Sequence, residues 1–178
     1  FAKTKRQNLV LSDIDELIKQ RLDAMLRSNP SRINFYEQYQ QIIKEYNAEQ
    51  DRASIEKTFM ALIDLSKSLD REEKRFVREG FTDDEQLTFY DLLFDANISK
   101  SEIAKLKKLS VELLDKVKSR IRELHNWREK DETRAQVATL IHETLYQDLP
   151  ESYAIDSIDQ YSQKVFNYVY DRYPIVAA

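Results

Sequence analysis

Few side chains in this sequence have the type and spacing that catalysis requires. Its two histidines, His125 and His142, do not have the four-residue spacing that would place two imidazoles on one helical face for a metal ion. Asp91 and Asp95 are one helical turn apart, and residues 83–85 are all acidic. Such carboxylates bind Mg²⁺ or exchange protons only with partners from another element, and capping at a helix N-terminus explains the cluster at residues 83–85 better. We therefore predict no catalytic residue and no metal site.

The glycine and cysteine counts exclude several classes of site. Glycine occurs once, at Gly80, and cysteine does not occur. Loops that bind nucleotide phosphates need two or three glycines, because backbone amides must approach the phosphates without an intervening Cβ. We therefore expect no cofactor on this chain. The lack of cysteine fits a reducing compartment, and no apolar run approaches the roughly 20 residues that span a bilayer, so we expect a cytoplasmic protein with no membrane partner.

Apolar residues recur at three- and four-residue steps through most of the chain, which predicts an all-α fold. We expect an irregular bundle of about seven helices, two of them long, around a single hydrophobic core. Residues 1–11 lack this periodicity and carry basic side chains, so we interpret them as a linker from a preceding domain and residues 12–178 as one C-terminal helical domain. The two long helices are predicted over residues 52–79, ended by Gly80, and 100–127. The helix starts that capping residues predict are Ser12, Asn34, Thr82, Ser99, Thr133 and Asp156.

The helix predicted over residues 100–127 carries a strip of cations. At about 100° per residue, Lys100, Lys107, Lys118 and Arg122 fall within roughly 60° of one another and away from the apolar stripe. Residues 100–134 include 11 Lys and Arg against 7 Asp and Glu, whereas the whole chain has 28 against 32. A basic segment in an acidic chain suits the phosphates of double-stranded DNA, which would be held without sequence specificity. An ordinary solvated helix surface, or a seam for an acidic partner, remains open as an alternative.

Trp127, Arg128 and Arg134 follow this strip. Tryptophan and arginine are enriched at the centres of protein interfaces, where a partner removes them from water. We therefore predict that these three residues form a docking site. The alternative for Trp127 is that its ring closes the apolar end of the long helix.

Two stretches of the sequence resemble the C-terminal region of type I restriction enzyme R subunits. In that family a helix with the pattern T-x-x-E-x-x-x-Y-x-x-L precedes a Lys-rich helix, a tryptophan, an Arg-Ala pair and an amphipathic helix. Residues 80–93 resemble the first part, with one residue more between Glu85 and Tyr90 than the pattern has, and the rest is matched by Trp127, Arg134 with Ala135, and the apolar positions 137, 140, 141 and 145. The resemblance covers residues 80–145.

The resemblance implies a role within a larger enzyme. R subunits of this kind are type I site-specific deoxyribonucleases with ATP-dependent DNA translocase activity, and they use ATP and Mg²⁺. Their C-terminal helical region is associated with docking onto the methyltransferase and specificity subunits. We therefore expect this chain to be a non-catalytic assembly domain that also contacts DNA. The second hypothesis is a stand-alone helical nucleic-acid-binding domain that acts through phosphate contacts alone.

Overall fold

The computed structural model describes residues 2–49 and 51–177, with side chains from residue 5 onward. The described residues form eight α-helices and two short 3₁₀ turns, Pro30–Arg32 and Ile155–Ser157. The all-α bundle predicted from the sequence is confirmed. None of the helices in the described ranges is both long and apolar enough to cross a membrane. The helices are α1 (Ala2–Ser28), α2 (Ile33–Ala48), α3 (Arg52–Glu73), α4 (Arg75–Arg78), α5 (Asp84–Leu93), α6 (Lys100–Glu123), α7 (Asp131–Asp148) and α8 (Ile158–Arg172).

The chain divides into two compact units, Phe1–Gly80 and Phe81–Ala178. The single hydrophobic core expected from the sequence is thus replaced by buried apolar residues in each unit. In the first unit, α1, α2 and α3 pack around a cluster that includes Leu22, Leu62 and Leu69, each at most 1% exposed. These residues recur at helical spacing on α1 and α3, which is why the two helices bury one face each.

The first unit also buries an ion pair. Arg32 and Glu72 are 4% and 7% exposed, and Arg32 Nε donates to Glu72 Oε1 over 3.0 Å. Arg75 Nε donates to Glu72 Oε2 over 2.9 Å. Since a buried carboxylate is costly without partners, these two guanidinium groups offset the cost of burying Glu72 at the end of α3.

Three boundaries in the first unit differ from the prediction, one of them the start of α2, which begins at Ile33, before its predicted cap Asn34. Helix α1 begins at Ala2 rather than at Ser12, and Leu11 is buried in the core, so residues 2–11 are helical although they lack a regular apolar pattern. Whether they connect to a preceding domain stays a prediction, and Phe1 and Ala178, the outer limits of the predicted segments, lie outside the described residues. The predicted helix over residues 52–79 breaks at Lys74 into α3 and α4. Gly80 has a φ of +84°, the left-handed conformation expected of the residue that follows a helix.

In the second unit α6 packs against α5 and α7, and α8 packs against α7 and α5. Leu106, Leu113 and Val117 of α6 and Val165 and Val169 of α8 are fully buried. Ser99 precedes α6 as predicted, whereas α5 is capped one residue later than predicted, by Asp83, whose Oδ1 accepts from Gln86 N over 2.9 Å. Helix α6 ends at Glu123. Trp127 therefore lies in the connection to α7 and not on a long helix.

Candidate nucleic-acid and partner interface

Helix α6 positions the cations that the sequence analysis selected. Its buried stripe, which includes Leu106, Leu113 and Ile121, fixes the rotation of the helix and turns the polar positions outward. The helix carries eight Lys and Arg against four Asp and Glu. Lys100 and Arg122, near its two ends, are exposed. Arg122 Nε donates to the carbonyl oxygen of Ala177 over 3.0 Å, a bond that an exposed guanidinium exchanges readily with water or phosphate.

Lys107 lies in a different environment from Lys100. Its side chain is half-buried, and its ammonium nitrogen is 5.9 Å from the ring centroid of Phe81 and 5.7 Å from that of Tyr90. Cations at this distance are attracted to the ring faces, and lysine places its methylene stem along apolar surface while its charged end reaches water. Lys107 therefore helps to hold α6 against α5 and the residues before it.

Lys118 is also committed within the unit. Its side chain is 23% exposed, its Nζ lies 2.7 Å from Glu85 Oε2, and it is 5.7 Å from the centroid of the Tyr173 ring. The hydroxyl of Tyr173 donates to the same carboxylate oxygen. The ionised Glu85 offsets the positive charge of Lys118, so this lysine contributes less to an external phosphate than a solvated one would.

The pKa of Glu85 follows from these contacts. Burial opposes its ionisation, but the hydrogen bonds from Lys118 and Tyr173 outweigh burial and lower its pKa below the usual value. The pKa of Tyr173 is raised, first by burial and then by the hydrogen bond to Glu85. The three groups therefore form a polar cluster of an ionised carboxylate, an ammonium and a neutral phenol.

Trp127 is buried inside the second unit. Its side chain is 0% exposed, and its indole Nε1 donates to the carbonyl oxygen of Tyr173 over 2.7 Å. The rings of Phe166 and Tyr170 meet it edge to face, at centroid distances of 6.0 and 5.8 Å. This burial is what the alternative, closure of the apolar end of α6, predicts, and a docking role for Trp127 stays a prediction.

Arg128 and Arg134 stabilise the connection between α6 and α7. Arg128 Nη1 donates to the carbonyl oxygen of Tyr170 over 3.1 Å, and its guanidinium lies 5.4 Å from the Tyr170 ring centroid. Arg134 donates to the carbonyl oxygen of Arg128 and pairs with Asp131. Both arginines are partly exposed. A contact with a partner stays a prediction for them, and it would compete with these internal bonds.

A groove between α6 and α7 was not singled out from the sequence. It encloses about 500 Å³ and is lined by residues that include Lys116, Arg120, Glu143 and Gln147. Lys116 with Arg120, and Glu143 with Gln147, are four residues apart, so each pair shares one helix face. That spacing was present in the sequence. The sequence did not show which faces of α6 and α7 meet.

Asp95 and His142 make contacts within the second unit. Tyr161 donates its hydroxyl to Asp95 Oδ2 over 3.0 Å, and His142 Nε2 lies 2.9 Å from Asp159 Oδ1. Among the described residues, no three His, Asp or Glu side chains are grouped so that they could hold a metal ion.

Comparison with known proteins identifies one family. The family described as "Type I restriction enzyme HindI endonuclease subunit-like, C-terminal" matches residues 1–171. The resemblance inferred from residues 80–145 is confirmed, and it extends over the first unit as well. Neither the comparison with curated proteins nor the comparison with solved structures finds a match.

Proposed function

The chain belongs to the family of C-terminal regions of type I restriction enzyme HindI-like endonuclease subunits, and we propose that it is a non-catalytic helical module that joins such a subunit to its methyltransferase and specificity subunits and contacts double-stranded DNA through α6. The family match over nearly the whole chain carries this proposal. The ATP- and Mg²⁺-dependent translocation and the DNA cleavage belong, in this proposal, to other parts of the endonuclease subunit in the cytoplasm.

The chemistry of the described side chains supports a module of this kind. The single glycine cannot form a loop that cradles a nucleotide, and Asp83 and Asp95 are bound to partners within the second unit. The polar face of α6, in contrast, carries more cations than anions. An excess of four positive charges on α6, in a chain of net charge −4, gives the surface that a phosphate backbone prefers.

The four cations that are predicted to contact DNA differ in their exposure to solvent. Lys100 and Arg122 have exposed charged groups, whereas Lys107 and Lys118 are half-buried against aromatic rings. The logarithm of the binding constant falls linearly with the logarithm of the salt concentration. Each phosphate contact that is lost should make this slope shallower by about 0.9. We expect this loss for Lys100→Gln and Arg122→Gln, and a smaller one for Lys118→Gln because Glu85 already offsets its charge.

The test is binding of the chain to a labelled DNA duplex at several salt concentrations, followed by fluorescence anisotropy. Lys44→Gln, which removes an exposed cation of the first unit, is the matched control and should leave the slope unchanged. The expected result is a uniform loss of affinity across duplex sequences, since phosphate contacts carry no base readout. Equal slopes for the wild type, Lys100→Gln and Arg122→Gln would show that α6 does not contact phosphates.

The assembly role requires the whole endonuclease subunit. Residues 1–178 are deleted from it, and binding to the methyltransferase and specificity subunits, translocation and cleavage are measured separately. We expect assembly to fail while ATP hydrolysis by the isolated motor persists. Normal assembly with weakened DNA binding would instead support the second hypothesis, a domain that acts through phosphate contacts alone.

A further inference from the structure

The first unit has an apolar groove between α1 and α3 that its own helices leave open. The groove encloses about 630 Å³ and includes Val10, Ile55, Phe59 and Met60. Val10 and Met60 are 44% and 55% exposed. On the same outer side of α1, one heptad from Val10, Leu17 is 66% exposed. Adjoining exposed apolar side chains along a groove are typical of a surface that another protein covers.

Charged residues stand on opposite walls of this groove. Arg6 lines it from α1 and Glu56 lines it from α3. Glu56 makes an exposed pair with Arg52, 3.3 Å away, and exposed pairs of this kind contribute little to stability. The groove therefore offers one cation and one anion, on separate helices, to whatever covers it.

Helices α1 and α3 run parallel and in register. Arg21 of α1 contacts Asp70 and Glu73 of α3, at distances of 2.5 and 2.8 Å. In these two contacts the paired residues are separated by 49 and 52 positions in the sequence. Arg6 and Glu56, which line the same groove, have a similar separation. Positions on α1 are thus level with positions about 50 residues later on α3 along their whole length.

This register makes the groove complementary to itself. A two-fold axis along the groove would lay α1 of one copy over α3 of the other at the same level. Arg6 of each copy would then oppose Glu56 of the other, and Val10 would meet the side that carries Met60. Closed symmetric dimers need such a self-complementary patch.

We infer that the groove between α1 and α3 is a homodimer interface, in which α1 and α3 of two copies form a four-helix arrangement. The interface involves the first unit alone and does not depend on the proposed DNA contact or on assembly with other subunits. The occupant is a second copy because the patch supplies both members of each charge pair.

The first test is the mass of the 178-residue chain in sedimentation equilibrium up to about 0.1 mM, where a dimer with a dissociation constant of ~10 μM is largely assembled. We expect a dimer. Met60→Glu should weaken it by about 100-fold or more, because an unpaired carboxylate would be buried at the centre. Val77→Glu, which alters an exposed apolar residue outside the groove, is the control and should dimerise normally. Circular dichroism verifies that both variants fold.

A charge exchange tests the pairing itself. Arg6→Glu alone and Glu56→Arg alone each place like charges at both contacts of a homodimer, and each should weaken dimerisation by about tenfold. A mixture of the two variants pairs opposite charges at both contacts, so we expect heterodimers of wild-type affinity. A pair confined to one chain could not give this rescue. A wild-type chain that stays monomeric, or single variants that dimerise as well as the wild type, would overturn the inference.

Discussion

Replacement of Trp127 distinguishes between a role in the core and a role in docking for this residue. In Trp127→Phe the carbonyl oxygen of Tyr173 loses the indole N–H that now lies 2.7 Å away, and an unsatisfied buried polar group costs about 1–3 kcal/mol. The smaller ring also leaves space between Phe166 and Tyr170, at a cost of about 1 kcal/mol. We expect the free energy of unfolding of the second unit to fall by about 3 kcal/mol in total, or about 12–20 °C in melting temperature for a unit of this size.

Urea and thermal unfolding followed by circular dichroism measure this loss. Trp127 is the only tryptophan, so its emission in the wild type should be that of a buried indole and resist acrylamide quenching. Tyr146→Ala, which truncates an aromatic residue that is 65% exposed on α7, is the control and should change stability by less than about 0.5 kcal/mol. Unchanged stability of Trp127→Phe, together with a readily quenched wild-type emission, would refute the interior position.

Three further predictions concern groups described above. Glu72→Ala leaves Arg32 and Arg75 without their shared carboxylate and should destabilise the first unit by about 3–5 kcal/mol in urea unfolding; a loss below 1 kcal/mol would mean that the guanidinium groups find water. In Gly80→Ala the added Cβ meets no atom within 4 Å, but the backbone keeps a φ of +84°, so strain alone should lower the free energy of unfolding by about 1–2 kcal/mol. Gly80→Asn should lower it by less. An equal loss for both variants would contradict this explanation. The pKa of Tyr39 is raised first by burial and then by its hydrogen bond to Asp15. The pKa of Tyr173 is raised first by burial and then by its hydrogen bond to Glu85. Burial and the hydrogen bond to Asp95 raise the pKa of Tyr161 to about 12. Because these pKa values are raised, the stability that the neutral phenols contribute is complete below about pH 10 and is lost as the pH rises through the raised values; phenolate absorbance should increase together with unfolding, and a simple titration of all tyrosines near pH 10 would contradict the burial.

The sequence predicted the helices well because their apolar positions follow one period. The starts of α3 and α6 were correct, since Arg52 and Lys100 follow the capping-type residues Asp51 and Ser99. The start of α1 was missed because residues 2–10 have no regular stripe. The break at Lys74 has no glycine or proline to mark it, and the division into two cores depends on contacts between residues distant in the chain.

The candidate site was predicted less completely than the fold. Helical spacing placed the four cations on one side of α6, but it could not show that Glu85 and the ring of Tyr173 lie against Lys118. These partners come from α5 and from the residue after α8, which only the tertiary fold brings together. The same holds for Trp127. An interface tryptophan and a core tryptophan have the same residue type, and only the position of α8 distinguishes them.

The end of α8 is held by side chains from elsewhere in the second unit. The last carbonyl groups of a helix have no partner within it, and here Trp127 and Arg128 donate to those of Tyr173 and Tyr170. The segment between α6 and α7 thus serves as the cap of a helix more than forty residues away in sequence. Connections between helices are ordinarily among the first parts of a protein to open, but the bond from Trp127 should break only when α8 detaches, so the indole N–H of Trp127 should exchange with solvent as slowly as the amide protons of the core.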